Sequence, residues 1–311
     1  MTIEVRDNAG PINPFASTVD GVYRDAVVEV RALGSVRPRR VLHMVRTEHF
    51  DVVRVGARIQ VGHTLGTQAV DDDLAGLLAG ELFGPGWLRG AQLFQRIFTG
   101  VVLTSAADPL SSWELFYRNT MRRIEECLLA TRRGEAAGHG AIADYAPVYA
   151  HAEALTADGP VLELGCCFGF LSLRLAAAGR QVTASDASPG VIHLLTALAR
   201  RLGVALQAMH ADATRFPRDS ACADTVLAVH LVEHLDPADG NRVIAEATRL
   251  ARSRVVIAVP LEEEADETWG HVRTVSLADL HHWGLATGLP FDVHEFHGGW
   301  LVIETATRPL R

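Results

Sequence analysis

The chain has 311 residues, 48% hydrophobic and 6% aromatic, with a formal net charge of -8 at pH 7. That length predicts one large or two ordinary domains with ample core. An acidic balance without a basic block excludes nucleic acid from the expected partners, and no apolar run reaches the ~18 residues that span a bilayer.

In chain order, "MTIEVRDNAG" is polar and acidic and reads as no signal peptide. From Val22 to about Val61 come short β-rich runs, "VVEVRAL", "RVLHMV", "FDVVRV" and "RIQV". Gly34 and the Gly56-Ala57 pair punctuate them as in hairpins. From Asp71 the pattern turns helical. "DDDLAGLLAGELF" opens with acids suited to a helix N-terminus. "GWLRGAQLFQRIFTGVV" follows, then "DPLSSWELFYRNTMRRIEECLL" with Asp108 as N-cap and Pro109 at the first helical position. "RRGEAAGHG" reads as a linker. We therefore expect residues 1–140 to form a β-hairpin and helical N-terminal region and residues 141–311 a second domain.

In the second half strands and helices alternate. "PVLELG" is a short buried strand, and "FLSLRLAAAG" a helix stopped by Gly179. "QVTASD" is a strand; "SPGVIHLLTALARRLG" is a helix with Ser188 capping, Pro189 next and Gly203 ending it. "VALQAMHAD" is a strand, "ADTVLAVHLVEH" holds another, "DPADGNRVIAEATRLAR" is a helix, and "RVVIAVP" is the fifth strand. This alternation predicts an α/β fold with a doubly wound, mostly parallel sheet. "LPFDVHEFHGGWLVIETA" has two strands around Gly298-Gly299 and no helix between them, so an antiparallel C-terminal hairpin is expected to close the sheet.

The composition constrains the chemistry. All 29 basic residues are arginine, so a lysine base or Schiff base is excluded and arginine cannot replace it. The 14 histidines are then the natural proton carriers. Cys127, Cys166, Cys167 and Cys222 form no CxxC pair, which predicts free thiols, a reducing cytoplasm and neither a disulfide framework nor a zinc site.

In a doubly wound sheet, ligands sit beyond the carboxyl ends of the strands. There the first strand runs into Glu163-Leu-Gly165-Cys-Cys167-Phe-Gly169. A dinucleotide fingerprint reads GxGxxG and lacks an acid two residues before its first glycine. The stretch resembles instead the ExGxxxG motif of class I S-adenosylmethionine (SAM)-dependent methyltransferases, with Cys167 where that family usually has its middle glycine. The resemblance extends to Asp186 at the end of the second strand, where the family's acid takes the ribose hydroxyls. It extends also to Asp212 in "HADATRFP", where the acid holds the adenine amino group, and to "ADTVLAVHLVEHLDP". It spans roughly Tyr145 to Thr307 and implies SAM as cofactor, with the loop cradling its methionine end. Cys166 and Cys167 read as small loop fillers, not nucleophiles.

Methyl transfer needs an acceptor lined up behind the methyl, and a hydroxyl acceptor must also lose a proton. His230, Glu233 and His234 share one face if their turn is helical. This step resembles that of quinone-type O-methyltransferases, where such residues lie next to the methyl, sometimes with a divalent cation. In "PLEEEADETWGHVRTVS", Glu262 to Glu264 read as a solvated loop face or as metal ligands. Trp269 and His271 suit a sugar or aromatic ring beside a proton acceptor. His281 and His282 fall on a surface helix, and His297 on the final hairpin is placed to reach an acceptor. We take His234 as the expected base, His271 as an acceptor contact, and Glu233 and His230 as supporting residues.

Across both halves, "DDDLAGLLAGELFGPGWLRGAQLFQRIFTGVV", "FYRNT", "YAPVYAHA", "GCCFGFL", "HLVEHLDP", "GHVRT" and "HEFHGGWLV" together resemble the methyltransferase family of mycofactocin clusters. That resemblance implies O-methylation of a sugar hydroxyl on the oligosaccharide of a glycosylated small molecule, with residues 1–140 assigned to acceptor recognition. A quinone or phenol acceptor on the same fold, and a non-catalytic SAM-binding subunit, are the alternatives.

Overall fold

The computed structural model describes residues 10–34, 37–136, 138–266 and 269–306, together with the backbone of Ile3–Glu4. The chain divides into two compact units, Met1–Asp144 with Glu267–Trp269, and Tyr145–Asp266 with Gly270–Arg311.

The first unit contains β1 (Ile3–Glu4), β2 (Val22–Arg24), β3 (Val28–Ala32), β4 (Val45–Arg46), β5 (Phe50–Val55) and β6 (Arg58–His63). These are followed by α1 (Asp73–Leu78), a π-helical turn at Ala79–Phe83, β7 (Leu88–Arg89), α2 (Ala91–Leu103) and α3 (Pro109–Arg132). Among the described residues, one sheet runs in the order β2-β3-β6-β5-β4. β5 and β6 form the expected hairpin around Gly56 and Ala57, but β3 pairs with β6 in parallel. Local alternation fixes which side chains face inward; it carries no strand direction. Val28, Val30, Ile59 and Val61 are buried on that ladder. α2 packs so closely on it that a Cβ at Gly100 would stand 2.5 Å from Val30 Cγ2. α3 starts where the Asp-Pro pair places it: the Asp108 carboxylate accepts from Ser111 N at 3.0 Å.

The second unit is built on a seven-stranded sheet among the described residues, preceded by α4 (Ala141–Leu155). Its elements are β8 (Val161–Leu164), α5 (Phe170–Ala177), β9 (Val182–Asp186), α6 (Pro189–Leu202), β10 (Gln207–His210), β11 (Ala223–Val229), α7 (Pro237–Leu250), β12 (Ala251–Val259), α8 (Leu277–Thr287), β13 (Phe291–Glu295) and β14 (Gly299–Glu304). The order is β10-β9-β8-β11-β12-β14-β13, parallel from β10 to β12 and antiparallel where β14 pairs with β12 and β13. This is the expected α/β fold, with the C-terminal hairpin folded so that its second strand lies inside the sheet.

Neighbouring residues on a strand serve opposite faces. Val226, Ala228, Val255, Ile257 and Val259 join Val243, Ile244 and Ala247 of α7 and Leu280 of α8. Leu227, Val229, Val256 and Ala258 join Val148 and Ala152 of α4 and Leu171 and Leu175 of α5. Burial on both faces is what leaves Val226–Val229 of β11 and Val255–Val259 of β12 wholly apolar. No helix among the described residues is long and apolar enough to cross a membrane.

Candidate active site

The carboxyl ends of β8, β9, β10 and β11 meet at one edge of the sheet, because all four run parallel. The loop after β8 turns sharply: φ is 70° at Gly165, 48° at Cys167 and 75° at Gly169. Gly165 is held to glycine by its left-handed φ, and a Cβ there, 2.6 Å from Leu231 Cδ1, would also have to displace that side chain. Cys167 keeps the left-handed backbone of a glycine while carrying a thiol. The loop is tied to β9 by backbone donors: Cys166 N to Ser185 O at 2.8 Å and Cys167 N to Asp186 Oδ2 at 3.0 Å. The other oxygen of Asp186 accepts from Ser188 N at 2.8 Å. One carboxylate thus fastens two strand-to-helix turns together. Cys167 is exposed and Cys166 buried, and burial drives the Cys166 thiol well up, which keeps it a thiol.

Glu163 does not face solvent. It is 4% exposed, its carboxylate accepts from the Ser172 hydroxyl at the start of α5, and burial raises its pKa to about 7. Asp212, after β10, is exposed. Bonds from the Thr214 hydroxyl (2.7 Å) and Thr214 N (2.8 Å) hold its pKa below the usual carboxylate value.

At the end of β11 the chain turns through His230, a non-glycine residue with φ 52°, whose N–H donates to Ala258 O at 2.9 Å. One 3₁₀ turn, Val232–His234, follows. The His230 ring lies 5.0 Å from the Tyr145 ring, and burial lowers its pKa to about 4. Glu233 is fully buried, and neither of its carboxylate oxygens has a hydrogen-bond partner in another residue. Burial, with Glu262 adding, raises its pKa to about 8. His234 is exposed at its edge, yet the surrounding protein desolvates it enough to lower its pKa.

The stretch after β12 returns to this turn, where Val272 N donates to Glu233 O at 3.0 Å and Gly270 O accepts from His234 Nδ1 at 3.1 Å. His271 is buried, and its Nδ1 lies 2.8 Å from Glu262 Oε2. The His234 and His271 rings meet edge to face, 4.9 Å apart at 75°. A carbonyl and a carboxylate accept, so both imidazoles carry a proton on Nδ1, and in the neutral ring Nε2 is the lone pair. One ligand atom each from Glu233, His234 and His271 lies within 4.8 Å of the others.

Of the three loop acids only Glu262 turns inward; Glu263 and Glu264 are exposed. Trp269 belongs to the first unit, where its ring meets Phe94 edge-on at 5.7 Å. His281 and His282 are exposed on α8, and His297 is exposed on the β13–β14 turn. Sequence reading missed Tyr145, because it missed α4. It also missed the contact between His151 Nε2 and His294 Nε2 at 2.8 Å, with Asp292 on the far nitrogen of His294 at 2.7 Å. Nothing local in the sequence links residues that far apart.

Residues 161–254, from β8 into β12, match the family model described as a methyltransferase domain. The second unit carries a class I methyltransferase domain. SAM is the methyl donor of this methyltransferase. A comparison with the curated proteins finds no match. Among solved structures, the chain is similar to a SAM-dependent methyltransferase of Methanosarcina mazei (16% identity, 50% of this chain and 95% of that one, TM-score 0.44). It is also similar to the magnesium protoporphyrin IX methyltransferase of Synechocystis PCC 6803 (16%, 62% and 83%, 0.41) and to a SAM-dependent methyltransferase of Aquifex aeolicus (14%, 50% and 85%, 0.41). None of these likenesses bears on what this methyltransferase acts on.

Proposed function

We propose that this methyltransferase transfers the methyl group of SAM to a sugar hydroxyl on a glycosylated small molecule, the oligosaccharide of mycofactocin being the acceptor that the sequence resemblance names. The observation that carries the reading is the convergence of His234, His271 and the buried Glu233 beside the strand ends that hold the cofactor loop. The Gly165–Gly169 loop takes the methionine end of SAM, Asp186 its ribose and Asp212 its adenine, with Glu163 stiffening the loop through Ser172. In the reaction the acceptor oxygen forms a bond to the methyl carbon. The carbon–sulfur bond breaks onto sulfur, leaving S-adenosylhomocysteine. The hydroxyl proton leaves to this cluster, where the lone pair on His234 Nε2 is the protein's own acceptor and His271 contacts the sugar. Residues 1–140 are the acceptor-recognition region in this reading.

The test is mass spectrometry of a glycosylated small-molecule fraction incubated with the protein and SAM. A glycoside gaining one methyl group supports the reading; methylation confined to phenols or quinones overturns the acceptor class. Base catalysis is worth about 10²–10⁴-fold, so His234→Ala should lose that much in kcat with SAM affinity kept. His271→Ala should mainly raise KM. Near-normal kinetics in both variants overturns the assignment of the cluster.

A further inference from the structure

We infer that Glu233, His234 and His271 form a binding site for one divalent transition-metal cation, with Glu262 and the Gly270 carbonyl as its outer support. The inference deepens the functional reading above and rests on it for the cation's role, but not for the site.

Four observations lead there. First, one ligand atom from each of the three side chains lies within 4.8 Å of the others. A cation about 2.1 Å from each donor sets them ~3.4 Å apart, so the side chains need close by only about 1 Å.

Second, Glu233 is fully buried and neither oxygen accepts a hydrogen bond from another residue. A buried carboxylate without partners is costly unless a positive charge meets it. The charge of Arg273 reaches Glu233 but does not pair with it: Nε and Nη2 donate instead to the Val232 carbonyl, at 3.2 and 3.1 Å. The neighbouring His230 Nδ1 stands 3.4 Å from Glu233 Oε1 without making a hydrogen bond.

Third, both imidazoles have the outer partner characteristic of metal-bound histidine. Nδ1 of one is held by a backbone carbonyl and Nδ1 of the other by a carboxylate, which fixes both tautomers with Nε2 free to ligate. Fourth, His271 and Glu233 are buried while His234 is exposed. The set closes one side of a cation and leaves the other side open, as catalytic sites do.

Two imidazoles and one carboxylate favour manganese, iron, cobalt or zinc over magnesium or calcium. A hydroxyl coordinated at an open position loses its proton more readily, so the cation activates the acceptor oxygen directly. With the cation bound, the Nε2 lone pairs of His234 and His271 are its ligands, so the hydroxyl proton passes to solvent at the open side; direct transfer to His234 Nε2 belongs to the cation-free protein.

Cobalt(II) is the probe, since its visible absorption reports nitrogen and oxygen ligation without any turnover. Titration of the full chain, stripped with chelator, should give one site per chain, displaceable by Zn²⁺. His271→Ala and Glu233→Gln should abolish the absorption. Glu262→Gln, on a partly exposed loop, should fold normally and weaken affinity by roughly 10–100-fold. Absence of a one-per-chain site in the wild type, or cobalt spectra unaltered by all three substitutions, overturns the inference. Cobalt binding without methylation of any glycoside sinks the acceptor reading and leaves the site standing. Histidine-dependent methylation with no metal bound does the reverse.

Discussion

Replacing Glu163 by glutamine should remove a pH-dependent loss of stability. The side chain is 4% exposed, and burial raises its carboxyl from the ordinary 4.5 to about 7; the Ser172 bonds oppose the rise and Asp186 adds to it. Because the folded value lies above the unfolded one, the native state binds this proton more tightly. The contribution is fully favourable below the unfolded value and is lost as pH rises through the folded value. Each tenfold difference in proton affinity is worth about 1.4 kcal/mol. Ionising Glu163 in place therefore costs the fold roughly 3 kcal/mol by about pH 8, out of the ~5–15 kcal/mol that a domain has. Glutamine keeps the acceptor oxygen for Ser172 and cannot ionise. Urea unfolding of both proteins without SAM, at about pH 5 and about pH 8, isolates the effect, since every other titrating group is common to the two. The stability of Glu163→Gln minus that of the wild type should rise by roughly 2.5 kcal/mol between those conditions. A difference that stays flat with pH refutes the account of a buried, proton-retaining carboxyl.

The left-handed backbone at Cys167 gives a paired expectation. Cys167→Gly should relieve about 1–2 kcal/mol of strain and lose about 0.5–1 kcal/mol to unfolded-state freedom, staying close to wild type in both melting and SAM binding. Cys167→Val, branched at the same φ, should be clearly less stable; equal melting temperatures for the two variants contradict the geometry. Asp186→Ala removes an acceptor from both turns and from the proposed ribose contact. At about 1.5–3 kcal/mol per charge-assisted bond, SAM affinity by calorimetry should fall at least tenfold and apo stability should drop with it; unchanged affinity refutes the assignment. A chain begun at Gly140 keeps α4 and the seven-stranded sheet. It should bind SAM by calorimetry yet methylate nothing, and full turnover by it removes acceptor recognition from residues 1–140.

The elements that could be read were those whose ends carry their own chemistry. Ser188-Pro189 and Asp236-Pro237 open α6 and α7 through side chains that accept from the third residue on. α4 was illegible because Pro147 sits in its interior and its apolar residues show no single face. The turn from α7 into β12 was also blurred, since the strand begins at Ala251 without an intervening loop. Helices between strands signal parallel pairing in the second half, but where no helix intervenes strand order lies outside local pattern, hence the parallel β3–β6 pair and the inserted β14. The candidate site divides the same way. The β8 loop and the strand-end acids stand on contiguous motifs. That Glu262 and neither of its neighbours meets His271, and that His271 meets His234, depends on how the stretch after β12 folds back, which no spacing encodes.

The place of β14 has a consequence for biosynthesis. It lies between β12 and β13 with a ladder on each side. While the chain is being made, Val255–Val259 is complete long before Gly299–Glu304, and its outer edge has no native partner. About 40 residues separate them, so at ~5–20 residues per second the apolar edge stays bare for roughly 2–8 s on each ribosome. β13 emerges in the interval and cannot take its native position until β14 arrives. An unpaired apolar edge is a template for pairing with another chain. Chaperone demand for this protein should therefore be concentrated late in translation, and shortfalls should yield aggregates in which β8–β12 are already assembled.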